Sequence, residues 1–220
     1  MAKKKAKKVK KKKAEKKAEE YIELKAPIAE VKLEKEVVLK AEQPKKKSKI
    51  KATFAEYRVI TESCDEAREL YNQSCYGIVL ENGKVQLSLP EALYLLEKGK
   101  IEVKHGRKNL TSEAFIKKVS TVEPNFWIRY SVYKDIRNRG YIIKTALKFG
   151  ADFRVYDRGV KPGEDHARWI VYPVHEGEHL TWYEFAAKNR VAHSTKKRLL
   201  IGVVDEEGDV SYWEIRWMRP

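Results

Sequence analysis

At 220 residues and 25.7 kDa the chain can hold one or two domains, each able to bury a core. Lys and Arg outnumber Asp and Glu by 47 to 32, so a polyanionic partner is the default expectation. No uninterrupted run of about 18 apolar residues and no apolar leader segment is present, which argues against a membrane span and a secretory signal and leaves a soluble, cytoplasmic protein as the expectation.

The charge excess is uneven. Residues 1–51 hold 20 lysines, no arginine and 8 acidic residues, leaving 27 basic and 24 acidic residues for 52–220. The opening run MAKKKAKKVKKKKAEKKAEE repels itself and has too little apolar surface to offset the entropy of ordering. Residues 1–51 are therefore expected to be a lysine-rich disordered arm closed by the linker AEQPKKKSK. The arm reads equally as a salt-sensitive tether for RNA phosphates or as a solubility tail.

A small mixed domain is expected over 52–126. KATFAEYRVI alternates as a strand, CDEARELYNQ is a short helix with Asp65 and Glu66 in its first turn, and YGIVLENGKVQL is two strands around Asn82-Gly83. In SLPEALYLLEKGKIEV, Ser88 caps a helix with Pro90 and Glu91 in its first turn, Leu89, Leu93 and Leu96 on one face, and Gly99 as its stop. Another amphipathic helix starts at Thr111 and ends by Pro124. Cys64 and Cys75, the two cysteines, form no CxxC pair and read as buried free thiols.

The second domain, 127–220, opens with the helix FWIRYSVYKDIRNRGY, closed by Gly140. YIIKTALKFG, ADFRVYD and ARWIVYPVHE read as strands. TWYEFAAKNRVAHS is a helix with Thr181 and Glu184 as a capping box, and RLLIGVVD and VSYWEIRW are strands around EEGD. The expected fold class is α/β (α+β): a mixed β-hairpin and helix N-terminal domain, then an α/β sandwich.

Three residues of the second domain stand out for their chemistry. Tyr156 lies in FRVYDRG, His166 ten residues later at the head of HARWIV, and Lys197 in RVAHSTKKRLLIGVVDEEGDV. These strings resemble the archaeal tRNA-splicing endonucleases, the tRNA intron endonuclease family, across 126–220, and SLPEALYLLEKGKIEV resembles that family's N-terminal domain. The arm lies outside the likeness. The resemblance implies a nuclease that excises introns from precursor tRNA at bulge-helix-bulge elements, with Tyr156, His166 and Lys197 as its triad and no cofactor or metal. Lys196 is the neighbour that only the register of RVAHSTKK separates from Lys197. The alternative is a non-catalytic structural or RNA-binding subunit of such an enzyme; the filling of all three positions favours the catalytic reading.

Cleavage by RNA's own 2′-oxygen requires a base for the hydroxyl, a positive charge beside the phosphorane and an acid for the departing 5′-oxygen. Histidine, with an ordinary pKa of about 6.5, suits the acid at His166. Lysine supplies the fixed charge at Lys197. Tyr156 takes the base role by resemblance, although a phenol with an ordinary pKa of about 10 needs cations nearby to serve well. The products implied are a 2′,3′-cyclic phosphate and a 5′-hydroxyl.

Arg190 is a candidate to stack on an unpaired base. The resemblance implies a second clamp residue near the C-terminal strand, for which Trp217 is the first candidate and Trp213 and Arg216 are the alternatives. Asp205, Glu206, Glu207 and Asp209 surround Gly208 as a polar hairpin tip; by resemblance this loop docks into a neighbouring subunit. With the long final strand as an edge that wants a partner, it implies self-association into a homotetramer, or into a heterotetramer with a structural subunit.

Overall fold

The computed structural model describes residues 49–218. The expected arm, and with it most of the linker, lies outside the described residues. The chain enters its first strand at Ile50, two residues ahead of where the alternating pattern begins.

KATFAEYRVI forms a hairpin instead of one strand. β1 (Ile50–Ala55) buries Ile50, Ala52 and Phe54, and the chain then reverses through Glu56 and Tyr57 into β2 (Arg58–Thr61), pairing Ala55 with Arg58. Glu56 adopts φ +51, a left-handed conformation normally signalled by Gly or Asn, so the turn has no sequence mark. Helix α1 (Asp65–Ser74) ends at Cys75, itself left-handed at φ +56. The Asn82-Gly83 turn joins β3 (Ile78–Val79) to β4 (Val85–Leu87), as its residues predict.

Helix α2 (Leu89–Glu97) has the predicted cap. Glu91 accepts from the Ser88 backbone N–H at 2.9 Å, and its other oxygen accepts from Gly77 N at 3.0 Å and from Lys144 Nζ at 3.2 Å. β5 (Ile101–His105) and β6 (Lys108–Leu110) form a hairpin over KIEVKHGRKNL, a stretch whose charged residues conceal the two buried positions, Ile101 and Val103. Helix α3 (Ser112–Ser120) follows, capped by Thr111 Oγ1 on Ala114 N at 3.2 Å. The first sheet runs β3-β4-β2-β1-β5-β6 and is antiparallel except for the parallel pair β1 and β5.

Helix α4 (Phe126–Asn138) buries Phe126, Ile128, Tyr130, Val132, Tyr133 and Ile136, so it is apolar on more than one face. It packs both on α2 and α3 and on the second sheet. The expected boundary at residue 126 falls between the two sheets, yet one continuous core runs from Ile50 to Val204 through this helix.

The second sheet comprises β7 (Ile142–Thr145), β8 (Phe153–Tyr156), β9 (Trp169–His175), β10 (Arg198–Val204) and β11 (Val210–Ile215), in the order β11-β10-β9-β8-β7. β7 stops at Thr145, and Leu147–Phe149 is a short 3-10 turn, so YIIKTALKFG is only partly strand. β9 and β10 are parallel and are linked by helix α5 (Trp182–Ser194), which carries the predicted capping box between Thr181 and Glu184. A second core, with Ile170, Tyr172, Ala192 and Leu199, fills the α5 face while α4 covers the other. This α/β sandwich presents the ends of β8, β9 and β10 to the site.

Candidate active site

Strand alternation decides what β8 offers the site. Phe153 and Val155 point into the core shared with α4, so Arg154 and Tyr156 project from the opposite face. Tyr156 is 4% exposed, and burial pushes its phenol above the ordinary tyrosine value; Arg154 opposes that rise and Cys75 adds to it. The Arg154 guanidinium carbon lies 5.8 Å from the centre of the Tyr156 ring.

Lys197 is set by the end of α5. Lys196 takes φ +55 and reverses the chain, Lys197 N donates to Ala192 O at 2.8 Å, and β10 starts at the next residue. The Lys197 ammonium donates to Thr195 O at 2.9 Å and stands 5.5 Å from the Phe149 ring centre. Lys196 is exposed and has no place in the cavity wall.

His166 belongs to a loop, not to the start of a strand as its HARWIV context implied, because β9 begins three residues later at Trp169. Arg168 and Asp157 pair at 2.9 Å across the loop base, and Lys161 Nζ donates to Asn72 O at 3.2 Å, fastening the loop to α1. His166 itself is exposed, and its backbone N–H donates to Asp165 at 2.6 Å.

Tyr156, His166 and Lys197 line one cavity of about 410 Å³. Arg154 and Phe149 complete its wall and the 162–165 turn forms its rim. Lys197 also lines a smaller cavity of about 210 Å³ with Asn189, His193, Arg198, Arg216 and Trp217. There the His193 and Trp217 rings lie 4.6 Å apart. Arg216 donates to Glu214 at 2.8 Å, and Trp213 is exposed on β11 outside this wall. Arg190 is exposed on α5 and bonds Ala186 O at 3.4 Å; it lines neither cavity. The sequence alone marked neither Arg154, which reads as an ordinary polar position of an alternating strand, nor His193.

The acidic tip divides into two kinds of carboxylate. Asp205 accepts from Glu207 N at 3.0 Å and Asp209 N at 2.8 Å, so it folds the turn from within. Glu206, Glu207 and Asp209 are exposed, with Glu206 reaching His175 Nε2 at 3.5 Å. β11 is the outer strand of its sheet. On it, the Trp169 indole N–H, with Arg216 and Arg198, holds the Glu214 carboxyl down to about 2. Among the described residues no group of three or more His, Cys, Asp or Glu side chains gathers to hold a metal ion, and no helix is long and apolar enough to cross a membrane.

Residues 50–116 match the N-terminal domain, and residues 126–212 the catalytic C-terminal domain, of the tRNA intron endonucleases. The chain belongs to the tRNA intron endonuclease family. It is 49% identical to the tRNA-splicing endonuclease of Nanoarchaeum equitans over 141 residues, 61% of this chain and 90% of that protein. It is also 43% identical to the tRNA-splicing endonuclease of Thermococcus onnurineus over 162 residues, 74% of this chain and 92% of that protein. A third relative, the tRNA-splicing endonuclease of Thermococcus kodakarensis, is 41% identical over 74% of this chain and 94% of its own length. As a tRNA intron endonuclease the chain is an RNA-cutting enzyme of tRNA splicing. The catalytic-domain match takes in Tyr156, His166, Lys197 and the acidic tip, whereas Trp213, Arg216 and Trp217 lie past its end.

Proposed function

We propose that this tRNA intron endonuclease excises introns from precursor tRNA by cutting bulge-helix-bulge elements through attack of the 2′-oxygen, without a metal. The observation that carries the reading is the single cavity walled by Tyr156, His166 and Lys197, which come from three separate segments of the chain. Tyr156 removes the 2′-hydroxyl proton, Lys197 stabilises the charge that builds on the phosphorane, and His166, on its open loop, protonates the departing 5′-oxygen. The P–O bond to the 2′-oxygen forms as the P–O bond to the 5′-oxygen breaks, leaving a 2′,3′-cyclic phosphate and a 5′-hydroxyl.

Trp217 and Arg190 hold the bulged nucleotides in this reading, with Trp217 close to the cavity that Lys197 shares and Arg190 farther along α5. The outer edge of β11 and the exposed Glu206, Glu207 and Asp209 serve self-association into a homotetramer, the alternative being a heterotetramer with a structural subunit. Two active sites at a set distance would then measure the shape of the RNA.

The test is incubation of the full chain, in EDTA, with a labelled precursor tRNA carrying a bulge-helix-bulge. Two cuts with cyclic-phosphate ends, slowed by orders of magnitude in His166→Ala, are expected. Ends bearing a 5′-phosphate, or no cleavage by the chain alone or with a second subunit, would remove the proposal.

A further inference from the structure

The catalytic cavity contains a cation that the base, acid and charge roles leave unused. Arg154 is half-buried in the cavity wall, two residues before Tyr156 on the same face of β8. Its Nε is buried without a hydrogen-bond partner among the described residues, and its guanidinium carbon stands 5.8 Å from the centre of the Tyr156 ring, a π face and not an anion. A buried N–H without an acceptor is unfavourable, and a cation in the wall of a cavity is placed to meet an anion bound there.

Neither carboxylate on the cavity rim is paired with Arg154. Asp165 accepts from its neighbour's backbone, His166 N, at 2.6 Å, and Glu164 accepts from Lys161 N at 3.0 Å. Both acids are thus bound to their own loop. Lys197 approaches the same cavity from the start of β10, and its ammonium already has a carbonyl acceptor at 2.9 Å. The wall thereby offers a point charge just ahead of one strand and a planar, two-pronged donor on another. A guanidinium matches the paired oxygens of a phosphate in a way that an ammonium does not.

We propose that Arg154 binds a non-bridging oxygen of the scissile phosphodiester in this cavity, as a second cation beside Lys197. The proposal rests on the RNA-cleavage reading given above. The same guanidinium acts on Tyr156 as the main influence opposing the effect of burial, so one side chain would hold the phosphate and ease ionisation of the phenol next to it. In the phosphorane both non-bridging oxygens carry more charge than in the substrate, so a donor preset at one of them favours the transition state over the ground state.

Stereopure phosphorothioates at the cleaved bond test this in the full chain under single turnover. Arg154→Ala should slow cleavage of the normal substrate about 10²- to 10³-fold, the range for loss of one preorganised donor. The wild-type preference between the two sulfur diastereomers should shrink in Arg154→Ala, return in part in Arg154→Lys, and the alanine variant should regain rate when guanidinium is added. An unchanged preference in Arg154→Ala would overturn the assignment, because a merely structural arginine lowers the rate without touching one oxygen. A second measurement needs no turnover: the His166 ring C–H resonance followed during titration with inorganic sulfate. It should move in the wild type and need several-fold more sulfate to move in Arg154→Ala. Equal responses, or none in either protein, would overturn the site. If the wild-type chain cuts no bulged RNA, the cleavage reading fails and the sulfate titration alone decides Arg154.

Discussion

Tyr156 sets the pH behaviour of the proposed reaction. Its folded-state pKa lies above the ordinary tyrosine value because burial outweighs the neighbouring Arg154. At neutral pH the ionised phenol is scarce, but what there is makes a strong base. With the general acid removed, as in His166→Ala, the residual single-turnover rate should follow the phenolate alone. It should rise about tenfold per pH unit from 7 to 9 and show no plateau below about 10. A plateau below pH 8 in that variant would mean a lowered phenol and would contradict the burial argument. The lysine pair can be separated by the same assay. Lys196 occupies the left-handed region at φ +55, which costs a residue with a side chain about 1–2 kcal/mol. Lys196→Gly should therefore retain cleavage and match or exceed the wild type in thermal unfolding, whereas Lys197→Ala should lose two or more orders of magnitude in rate. Equal losses of activity in both variants would sink the assignment of Lys197.

The elements differ in how openly the sequence announces them. Ser88 with Glu91, and Thr181 with Glu184, are local patterns in which one side chain satisfies another's backbone, so both helix starts are legible. The β1–β2 reversal is hidden because Glu56 adopts a conformation its residue type does not advertise, and the β5–β6 hairpin because charged residues dilute its alternation. The cavity was legible in its three chemical residues through the family resemblance, but not in Arg154, whose Nε is left without a hydrogen-bond partner among the described residues only once β8 is packed. Glu91 shows the same dependence. Its capping role can be read locally, while its pairing with Lys144 of β7, 53 positions away, cannot. Glu91 is buried and Lys144 is 11% exposed, so losing the carboxylate leaves the ammonium with the Gly77 carbonyl but no counter-charge. Glu91→Ala should cost about 3–5 kcal/mol in denaturant unfolding. A loss below about 1 kcal/mol, the range of an exposed pair, would show that the contact is not buried in solution.

At the scale of the whole molecule the proposed self-association has to work against a net charge of +15. Like charges oppose assembly, so an acidic projection is the natural place for one copy to hold another. The hairpin tip has the required division of labour. Asp205 closes the turn through two backbone N–H groups, and Glu206, Glu207 and Asp209 are left facing outward. Reversing the three outward charges together, with Glu206→Lys, Glu207→Lys and Asp209→Lys, should leave the protomer's melting temperature nearly unchanged. If the proposed homotetramer forms, the species in sedimentation should fall from four chains to two, because pairing along the edge of β11 does not depend on those charges. Raising salt toward 1 M, where the screening length is about 3 Å, should move the wild type the same way. Asp205→Ala should behave differently, lowering the melting temperature first, since each lost turn hydrogen bond is worth about 1 kcal/mol. A triple variant that still sediments as four chains would show that the tip holds no neighbour, and the assembly would then have to rest on β11 and other surfaces.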